Sequence, residues 1–454
     1  MLIGDYMFIK DILTNINIKD SYIFEDIMIN NFSKDTRTIE ESDCFLAIKG
    51  DNFDGNSFII EAFKKGASLV ICDNPNEEDI NYVKDSNKNL IIVDDTINAL
   101  QELAIYKRSL YDIPVIAVTG SAGKTSTKDI IYSVLETKYN VLKTPGNLNN
   151  HIGLPLTILS LKDEDILLVE MGMNHLGEIS KLSNIAKPTV AVITNIGTAH
   201  IGNLGSQENI LKAKLEILDG LAKDGKFIIN NDDRLLHNDK DNHDNIYTYG
   251  INNDSFVKAN DVILNEDTAS FKVDDYEYKL NVSGEHYVYN ALCAILIGKL
   301  FNIDNDNISK GLLNFNKSAN RMDIIKVNGY TIIDDSYNAN YDAMVYALKY
   351  LDNLKGRKIA VLGTMLELGE FSKDIHYKLG KEINKFNIDM VLTIGDDAKY
   401  INDGIDTIFN KHFNSNIEAI SFLKDNLKDN DFVLIKASHG LNFKEIVDEI
   451  KKER

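Results

Sequence analysis

The sequence has little from which a disulfide framework or a zinc site could form, because it contains only three cysteines in 454 residues. Cys44, Cys72 and Cys293 are widely spaced, and no C-x-x-C pair occurs. This pattern predicts reduced, structural cysteines in a protein of the cytoplasm. The sequence also lacks an apolar run of membrane-spanning length, so we expect no membrane insertion.

Basic residues are in the minority. The chain has 49 Lys and Arg against 69 Asp and Glu, which gives a formal net charge of −20. Such a chain has no basic field to attract a nucleic acid or an anionic membrane, and we expect neither as a partner. The net charge does not exclude small anionic substrates, because individual side chains bind them locally.

The sequence does contain a candidate phosphate-binding loop. Residues 115–127 read V-I-A-V-T-G-S-A-G-K-T-S-T, an apolar strand, a glycine-bounded turn and then a helical pattern. Such a turn directs backbone N–H groups and the positive end of a helix at one point, which suits a polyphosphate. Lys124 would neutralise the outer phosphates, and the Thr125 hydroxyl would contact Mg²⁺. We therefore expect the chain to use a nucleoside triphosphate.

This loop departs from the common pattern G-x-x-x-x-G-K-[ST]. Counting back from Gly123, the first glycine would stand at Val118, but it is Gly120, so the loop is two residues shorter. A glycine-rich turn without a ligand is the alternative interpretation. The apolar run directly before G-K-T-S favours the phosphate loop.

Strand-like and helical patterns alternate along most of the chain. The length predicts about three domains, and Pro114 suits a boundary at the start of the phosphate-loop strand. The alternation predicts largely parallel, doubly wound sheets. We expect an α/β protein of three domains: a small N-terminal α/β domain (1–112), a central doubly wound P-loop-type ATPase domain (113–316) and a C-terminal Rossmann-like domain (317–454). The expected strands of the last two are Val115–Val118, Ile166–Glu170, Val190–Thr194, Lys226–Ile229, Thr331–Asp334, Lys358–Leu362, Val391–Ile394 and Phe432–Ile435.

Polar residues follow the predicted central strands directly. Lys124 and Thr125 come after the first strand, Glu170 ends the second, and His200 follows the third. Doubly wound sheets bind ligands at the carboxyl ends of their strands, so we expect these side chains to lie together. Glu170 would then hold Mg²⁺ beside the phosphate loop. The alternatives are a solvated strand end for Glu170 and an ordinary loop or core histidine for His200.

Lys214 stands on the apolar face of a predicted helix, residues 208–222. At helical spacing it falls within the stripe formed by Leu211, Leu215 and Leu218. A lysine on an inward face is costly unless its charge is paired or lost. A snorkelling side chain with its ammonium in water is one interpretation. The other is a neutral amine that CO₂ carbamylates into a metal-binding anion.

Several further polar residues suit parts of a nucleotide or a substrate. Arg321 suits a γ-phosphate, and Asp335, just after an apolar strand, suits ribose hydroxyls. Asn290 lies near the start of an apolar helix predicted over residues 284–300, where an adenine edge would satisfy its amide. The amide-rich loop 144–153 suits a carbohydrate or peptide ligand, but equally suits ordinary turns.

Taken together, eight motifs resemble the muramyl ligase family, in order from about residue 33 to about residue 447. The family's phosphate loop is short in the same way. The motifs are T-G-S-A-G-K-T-S-T, G-N-L-N-N-H-I-G-L-P-L-T, E-M-G-M-N-H-L-G-E-I, N-I-G-T-A-H, A-K-L-E-I, H-Y-V-Y-N-A-L, N-R-M and D-D-S-Y-N-A-N. These ATP-dependent amide ligases extend the stem peptide of peptidoglycan. The last motif, with K-D-T-R (34–37) and F-D-G (53–55), is similar to members that join D-alanyl-D-alanine to UDP-N-acetylmuramoyl-tripeptide.

The resemblance implies a role for each matching residue. Around ATP it places Gly120, Ser121, Ala122, Gly123, Lys124, Thr125, Ser126, Asn290, Arg321, Asp335 and Asn338. Around two Mg²⁺ ions it places Thr125 and Glu170, and then His200 and a carbamylated Lys214. Lys124, Glu170, His200, Lys214 and Arg321 are the expected catalytic set. It places Asp35, Thr36 and Arg37 at the UDP group, and Asn147, Asn149 and Asn150 at the muramyl peptide.

The chain departs from the family at a few positions. Thr36 stands where serine is usual, Asn320 stands where glycine is common, and residues 437–439 read A-S-H in place of G-S-R. Two other functions remain as alternatives to a muramyl ligase. One is a folylpolyglutamate synthase-like ligase, and the other is a non-catalytic nucleotide-binding regulatory protein.

We expect the protein to be a monomer. The sequence does not select between lysine and diaminopimelate as the third residue of the accepted stem peptide.

Overall fold

The computed structural model describes residues 7–50, 53–317, 319–327 and 329–452. Within these residues, three large sheets of five, nine and six strands follow one another along the chain, each with helices packed against it. The predicted limits at residues 1 and 454 lie outside the described residues. Among those described, no helix combines the length and the apolar character needed to span a membrane.

The N-terminal part is built on a five-stranded sheet of order β2-β9-β8-β5-β4, in which β2 is antiparallel and the rest parallel. Two short antiparallel pairs, β1–β3 and β6–β7, lie beside it. The strands are β1 Met7–Phe8, β2 Asp20–Tyr22, β3 Met28–Ile29, β4 Phe32–Ser33, β5 Cys44–Leu46, β6 Lys49–Gly50, β7 Phe53–Asp54, β8 Leu69–Cys72 and β9 Asn89–Ile92. The helices are α1 Ile9–Asn15, α2 Ile59–Lys64, α3 Glu77–Asp85 and α4 Thr96–Ser109.

The central part carries a nine-stranded sheet of order β11-β12-β10-β13-β14-β15-β16-β17-β18. The strands are β10 Val115–Thr119, β11 Val141–Lys143, β12 Ile166–Glu170, β13 Val190–Ile193, β14 Lys226–Asn230, β15 Ile246–Gly250, β16 Val257–Leu264, β17 Ala269–Val273 and β18 Tyr276–Leu280. The helices are α5 Lys124–Leu135, α6 Gly153–Leu159, α7 Glu178–Ala186, α8 Ile201–Leu204, α9 Gln207–Leu215, α10 Arg234–Asp239, α11 Glu285–Leu300 and α12 Asn305–Asn314.

Helices cover both faces of this central sheet, as predicted for a doubly wound fold. One apolar cluster joins α5, α11 and α12 to one face, and another joins α6, α7 and α9 to the opposite face. The four strands predicted from the sequence are present within a residue of their expected ends. The antiparallel meander β16–β18 was not predicted. Its strands bury alternate residues, so they lack the continuous apolar runs that identified the parallel strands.

The C-terminal part repeats the doubly wound plan in a six-stranded sheet of order β19-β20-β24-β21-β22-β23, with β19 antiparallel. Its four predicted strands are also confirmed, each slightly longer than expected. The strands are β19 Asp323–Val327, β20 Tyr330–Asp334, β21 Arg357–Gly363, β22 Met390–Ile394, β23 Phe409–Phe413 and β24 Asp431–Lys436. The helices are α13 Tyr341–Asp352, α14 Ser372–Ile383, α15 Lys399–Gly404, α16 Asn416–Asn426 and α17 Lys444–Lys451.

The helix predicted over residues 208–222 is wrong in its length. It is α9, which ends at Leu215 and continues as a short 3-10 turn, Glu216–Leu218. The chain tightens there because it packs directly on α7: Ser183 Oγ donates a hydrogen bond to the carbonyl of Ile217 at 2.6 Å and accepts one from the Gly220 N–H at 3.1 Å. A Cβ atom on Gly220 would lie 2.1 Å from the Ser183 carbonyl oxygen, so this approach requires glycine.

Candidate active site

The carboxyl ends of β10, β12 and β13 open into a cavity of about 530 Å³. Residues of the C-terminal part, from Arg321 to Lys436, close its other side. Of the residues singled out in the sequence, those lining it are Ser121, Ala122, Gly123, Lys124, Thr125, Ser126, Asn147, Asn149, Asn150, Glu170, His200, Asn290, Arg321, Asp335 and Asn338. The polar residues at the ends of these strands therefore lie together, as predicted, although they are far apart in the sequence.

The phosphate loop begins at Gly120, whose φ of +154° is a conformation that residues with a side chain rarely adopt. A Cβ atom on Gly120 would lie 1.9 Å from Thr194 Oγ1, because the loop crosses closely over the end of β13. Gly123 has a φ of +78° and caps the start of α5. Lys124 folds back so that its Nζ donates to the carbonyl of Gly120 at 2.7 Å. Burial lowers the pKa of the Lys124 amine, while the nearby Glu170 carboxylate opposes that shift.

Glu170 is a buried carboxylate in the cavity wall, and one of its oxygens has no hydrogen-bond partner. The residue is 1% exposed, and its Oε1 accepts hydrogen bonds from Asn149 Nδ2 at 2.8 Å and from Thr125 Oγ1 at 3.3 Å. Its Oε2 has no hydrogen-bond partner. A carboxylate and a hydroxyl beside a phosphate loop are the oxygen donors that Mg²⁺ prefers. The residues present therefore fit a magnesium ion.

The protein groups at this point would not enclose a metal ion by themselves. Within the described parts of the chain, no group of three or more His, Cys, Asp or Glu side chains is placed to hold one. Mg²⁺ is commonly bound by one or two protein groups, with substrate phosphates and waters supplying its other ligands. The arrangement at Thr125 and Glu170 is thus suited to a nucleotide-bound ion rather than to a closed structural site.

The two other predicted metal ligands lie in different surroundings. His200 has a left-handed backbone, with φ of +63°, and its Nδ1 lies 2.5 Å from Oε2 of Glu367 in the C-terminal part. Lys214 is 1% exposed and does not line the cavity. Burial, followed by repulsion from Lys124, lowers the pKa of Lys214 well below its usual value. The neutral amine that burial favours is the form of a lysine that can react with CO₂.

Arg321 and Asp335 reach the cavity from the C-terminal part. Arg321 Nη2 donates to Thr125 Oγ1 at 3.2 Å, and the guanidinium lies 4.0 Å from the centre of the Tyr337 ring. Asp335 Oδ2 accepts a hydrogen bond from Lys436 Nζ at 2.5 Å. Burial raises the pKa of Asp335, and Lys436 opposes that shift. The planar Arg321 guanidinium beside the phosphate loop is suited to binding a phosphate. The Asp335 carboxylate, which Lys436 holds in place, is suited to binding the ribose hydroxyls.

Several residues that line the cavity carry buried polar atoms without a hydrogen-bond partner. The amide of Asn290 accepts from Thr127 Oγ1 at 3.0 Å, but its Nδ2 is unpaired. Buried polar groups in proteins normally have partners, so a set of unpaired ones indicates a polar ligand. The lining atoms without a hydrogen-bond partner are Ser121 Oγ, Glu170 Oε2, Asn290 Nδ2 and Arg321 Nε.

Five of the predicted site residues do not line the cavity. Besides Lys214, Gly120 contributes its carbonyl to Lys124 only, and Asp35, Thr36 and Arg37 form a separate group in the N-terminal part. There the Arg37 guanidinium binds the Asp35 carboxylate at 2.6 Å and lowers the pKa of Asp35 to about 2. Thr36 Oγ1 donates to a carboxylate oxygen of Glu61 at 3.1 Å.

Sequence reasoning missed other residues at the site. Lys436 ends β24, so the strand-end argument used for Glu170 could have identified it. Tyr337 lies within the D-D-S-Y-N-A-N run but was given no role. Burial lowers the pKa of His286, another lining residue, to about 4. Nothing in the sequence indicates Glu367, because its approach to the cavity depends on how two sheets pack together.

Comparison with known proteins identifies the class of enzyme. Residues 29–108 match the model of the Mur ligase family catalytic domain, residues 118–298 match the Mur ligase middle domain, and residues 320–439 match the Mur ligase glutamate ligase domain. The chain belongs to the Mur ligase family.

Individual relatives and solved structures show which members of the family the chain is similar to. The chain is 39% identical over 439 residues to the UDP-N-acetylmuramoyl-tripeptide–D-alanyl-D-alanine ligase of Bacillus subtilis, with 94% of each chain covered. It superposes on MurF from Acinetobacter baumannii with a TM-score of 0.86 and 30% identity, covering 94% of both chains. With MurF from Thermotoga maritima in complex with ADP, the TM-score is 0.83 at 30% identity, covering 93% of this chain and 97% of that one.

Proposed function

We propose that this protein is an ATP-dependent ligase that joins D-alanyl-D-alanine to UDP-N-acetylmuramoyl-tripeptide during peptidoglycan precursor synthesis. The products are UDP-N-acetylmuramoyl-pentapeptide, ADP and phosphate. The observation that carries the proposal is the cavity between the central and C-terminal parts. There Lys124 from the central part and Arg321 from the C-terminal part converge on the phosphate loop beside the buried Glu170 carboxylate.

The reaction needs an activated acid. A carboxylate does not acylate an amine unaided, because its oxygen is a poor leaving group. In the proposed reaction the terminal carboxylate of the tripeptide attacks the γ-phosphorus of ATP, which forms an acyl phosphate and releases ADP. The free amine of D-alanyl-D-alanine then attacks the acyl carbon. A carbon–nitrogen bond forms, the carbon–oxygen bond to phosphate breaks, and the amine loses a proton.

The cavity residues divide between the parts of ATP. Lys124 and the backbone N–H groups of residues 121–126 hold the β- and γ-phosphates, and Arg321 binds the γ-phosphate. Asn290 offers its unpaired amide to adenine, while Asp335 and Asn338 face the ribose. Negative charge shifts between oxygen atoms during phosphoryl transfer. The main contribution of a protein to such a reaction is to hold cations beside the phosphoryl group.

We propose two magnesium positions in addition. Thr125 and Glu170 would hold one ion, and His200 and a carbamylated Lys214 would serve the second. When bound, these ions would neutralise phosphate charge. The fit is best at Glu170, whose Oε2 is buried without a hydrogen-bond partner. For Lys214 the support is its burial, which favours the neutral amine.

The substrate groups follow from the remaining lining residues. Asn147, Asn149 and Asn150 face the muramyl peptide from the loop before α6. The UDP group extends towards residues 35–37 in the N-terminal part. Asp35 and Arg37 already pair there, so a diphosphate would draw the Arg37 guanidinium from Asp35. The long substrate would thus span two parts of the molecule, and its reactive carboxylate would lie at the phosphate loop.

Phosphate release tests the proposal. Purified protein with ATP and Mg²⁺ should release phosphate only when both UDP-N-acetylmuramoyl-tripeptide and D-alanyl-D-alanine are present, and mass spectrometry should detect the pentapeptide product. Offering the lysine and diaminopimelate tripeptides in parallel identifies the accepted third residue. Activity with a folate and glutamate instead would support the folylpolyglutamate synthase-like alternative. Nucleotide binding without turnover would support a regulatory protein.

The proposal also includes a monomeric enzyme in the cytoplasm. The support for a monomer is that residues of the central and C-terminal parts of one chain line both sides of the cavity. Light scattering coupled to gel filtration tests the monomer, and fractionation of cells tests the location.

A further inference from the structure

Lys128 is a buried lysine one helical turn beyond Lys124 on α5. Its side chain is 1% exposed, and it is not among the residues that line the cavity. Placing an ammonium group in the interior is costly unless charged or polar partners surround it. The partners of Lys128 therefore indicate what the residue does.

Those partners belong to two segments that both reach the cavity. Lys128 Nζ donates hydrogen bonds to the carbonyl oxygens of Thr144 at 2.9 Å and Gly146 at 3.1 Å, at the start of the amide-rich loop. It also lies 3.6 Å from Glu170 Oε2 at the end of β12, and 3.8 Å from Asp129 Oδ1 on its own helix. One ammonium group thus links the phosphate-loop helix, the amide-rich loop and the Glu170 carboxylate.

The loop and the carboxylate are also joined to each other. The Glu170 N–H donates to Thr144 Oγ1 at 3.0 Å, and Asn149 Nδ2 donates to Glu170 Oε1 at 2.8 Å. Lys128 stands on the other side of the carboxylate, facing Oε2 at ion-pair distance. The side chain of Glu170 is therefore held between an amide on one oxygen and a cation near the other.

We propose that Lys128 is a positioning residue for the ligase reaction. Its ammonium orients the Glu170 carboxylate and anchors the loop that carries Asn147, Asn149 and Asn150, without touching substrate itself. The inference rests on the proposed function, which gives Glu170 and the loop their ligands. Groups that orient a metal-binding side chain commonly affect metal affinity or activity by about 10- to 100-fold.

The test replaces Lys128 with Met, which keeps the length of the side chain but removes the ammonium. Lys143→Met is the matched control, because Lys143 pairs with Asp129 at 2.9 Å from the neighbouring strand β11 and lies outside the cavity lining. For Lys128→Met we expect kcat to fall, and the magnesium concentration at half-maximal rate to rise, by about 10- to 100-fold. The KM for D-alanyl-D-alanine should stay near that of the wild type, and Lys143→Met should match the wild type throughout.

Calorimetry gives a readout that does not depend on turnover. Lys128→Met should bind ADP without magnesium as the wild type does, because the phosphate loop itself is unchanged. Magnesium should strengthen ADP binding in the wild type and in Lys143→Met, but much less in Lys128→Met. The proposal is overturned if Lys128→Met keeps the magnesium dependence of the control in both the rate and the binding measurement.

If Lys128→Met folds poorly, a double-mutant cycle measured by thermal melting tests the pairing of Lys128 with Glu170. The cycle compares Lys128→Met, Glu170→Gln and the double variant with the wild type. Removing the cation leaves a buried carboxylate without its charge partner, so Glu170→Gln in the same protein should recover part of the lost Tm. A double variant that melts at the sum of the two single losses overturns the pairing. Wild-type protein that makes no ADP and no pentapeptide defeats the proposed function, whereas the melting cycle still reports on Lys128.

Discussion

Arg321 Nη2 donates a hydrogen bond to Thr125 Oγ1 at 3.2 Å, which ties the C-terminal sheet to the first turn of the phosphate-loop helix. The Tyr337 ring, 4.0 Å from the guanidinium carbon, holds the side chain in this direction. In the proposed reaction Arg321 contacts the γ-phosphate, and it can do so only while the two parts of the molecule remain together. The proposal therefore couples the binding of ATP to the packing of the C-terminal part through this residue.

Arg321→Lys should lower kcat by about 100-fold, because a lysine keeps the charge but loses the planar fork that binds phosphate oxygens in pairs. The KM for D-alanyl-D-alanine should change little, because the amine of that substrate attacks the acyl carbon whereas Arg321 binds the γ-phosphate. Steady-state ADP release measures both constants. Arg234→Lys is the control, because Arg234 is exposed at the start of α10 and does not line the main cavity. Equal rates for the two variants would contradict the role given to Arg321.

Lys124→Ala should reduce kcat by about 100-fold or more while the fold survives. The ammonium neutralises phosphate charge in the proposed reaction, whereas its contact in the free protein is one hydrogen bond to the Gly120 carbonyl. Circular dichroism and the Tm check the fold, and phosphate release checks the rate. Near-normal turnover in Lys124→Ala would refute the phosphate-loop interpretation.

Sequence reasoning succeeded where a local pattern carries the information. Lys124, Thr125 and Glu170 follow apolar strands, and parallel strands bring their carboxyl ends to one edge, so their proximity could be predicted before the structure. Lys436 obeys the same rule after β24 and was overlooked. The rule could not reach Glu367, whose contact with His200 depends on the packing of two parts of the chain.

The inward direction of Lys214 was predicted correctly, although the length of the helix that carries it was not. Helical spacing placed Lys214 among leucines, and the residue is indeed buried. The same spacing gave no reason to end the helix at Leu215, because the break depends on contacts between residues 217–220 and Ser183 on α7. Long-range packing of this kind leaves no signal in the periodicity of one segment.

Carbamylation of Lys214 predicts a dependence on carbon dioxide. Wild-type enzyme prepared in CO₂-depleted buffer should lose activity and regain it when bicarbonate is added. Lys214→Ala should be inactive, and short-chain carboxylic acids should restore part of its rate by supplying the missing carboxylate. Full wild-type activity without CO₂, together with no rescue of Lys214→Ala, would support an ordinary buried lysine.

His286 predicts a loss of stability on acidification. Burial is the main cause that lowers its pKa from 6.5 to about 4. Between these values the unfolded chain binds a proton that the folded protein does not, so the free energy of unfolding decreases as the pH falls from 6.5 to about 4. The slope from this residue is at most about 1.4 kcal/mol per pH unit. Urea unfolding of His286→Gln should show a shallower pH dependence than the wild type over this interval, and identical slopes would contradict the assignment.

Closure of the C-terminal part over the cavity predicts a change of shape with ligands. Acyl phosphates hydrolyse, so water must be excluded while the amine attacks. The contact between Glu367 and His200, with the Gly202 N–H donating to the Glu367 carbonyl at 3.1 Å, already joins the two parts in this structure and would stabilise the closed form. Small-angle scattering should show a smaller radius of gyration with ATP analogue and muramyl substrate than without them. Glu367→Ala should weaken this compaction while keeping the Tm near that of the wild type, because the Glu367 side chain is 52% exposed. The four samples are the wild type and Glu367→Ala, each with and without ligands. If all four give the same scattering profile, the reaction proceeds without closure.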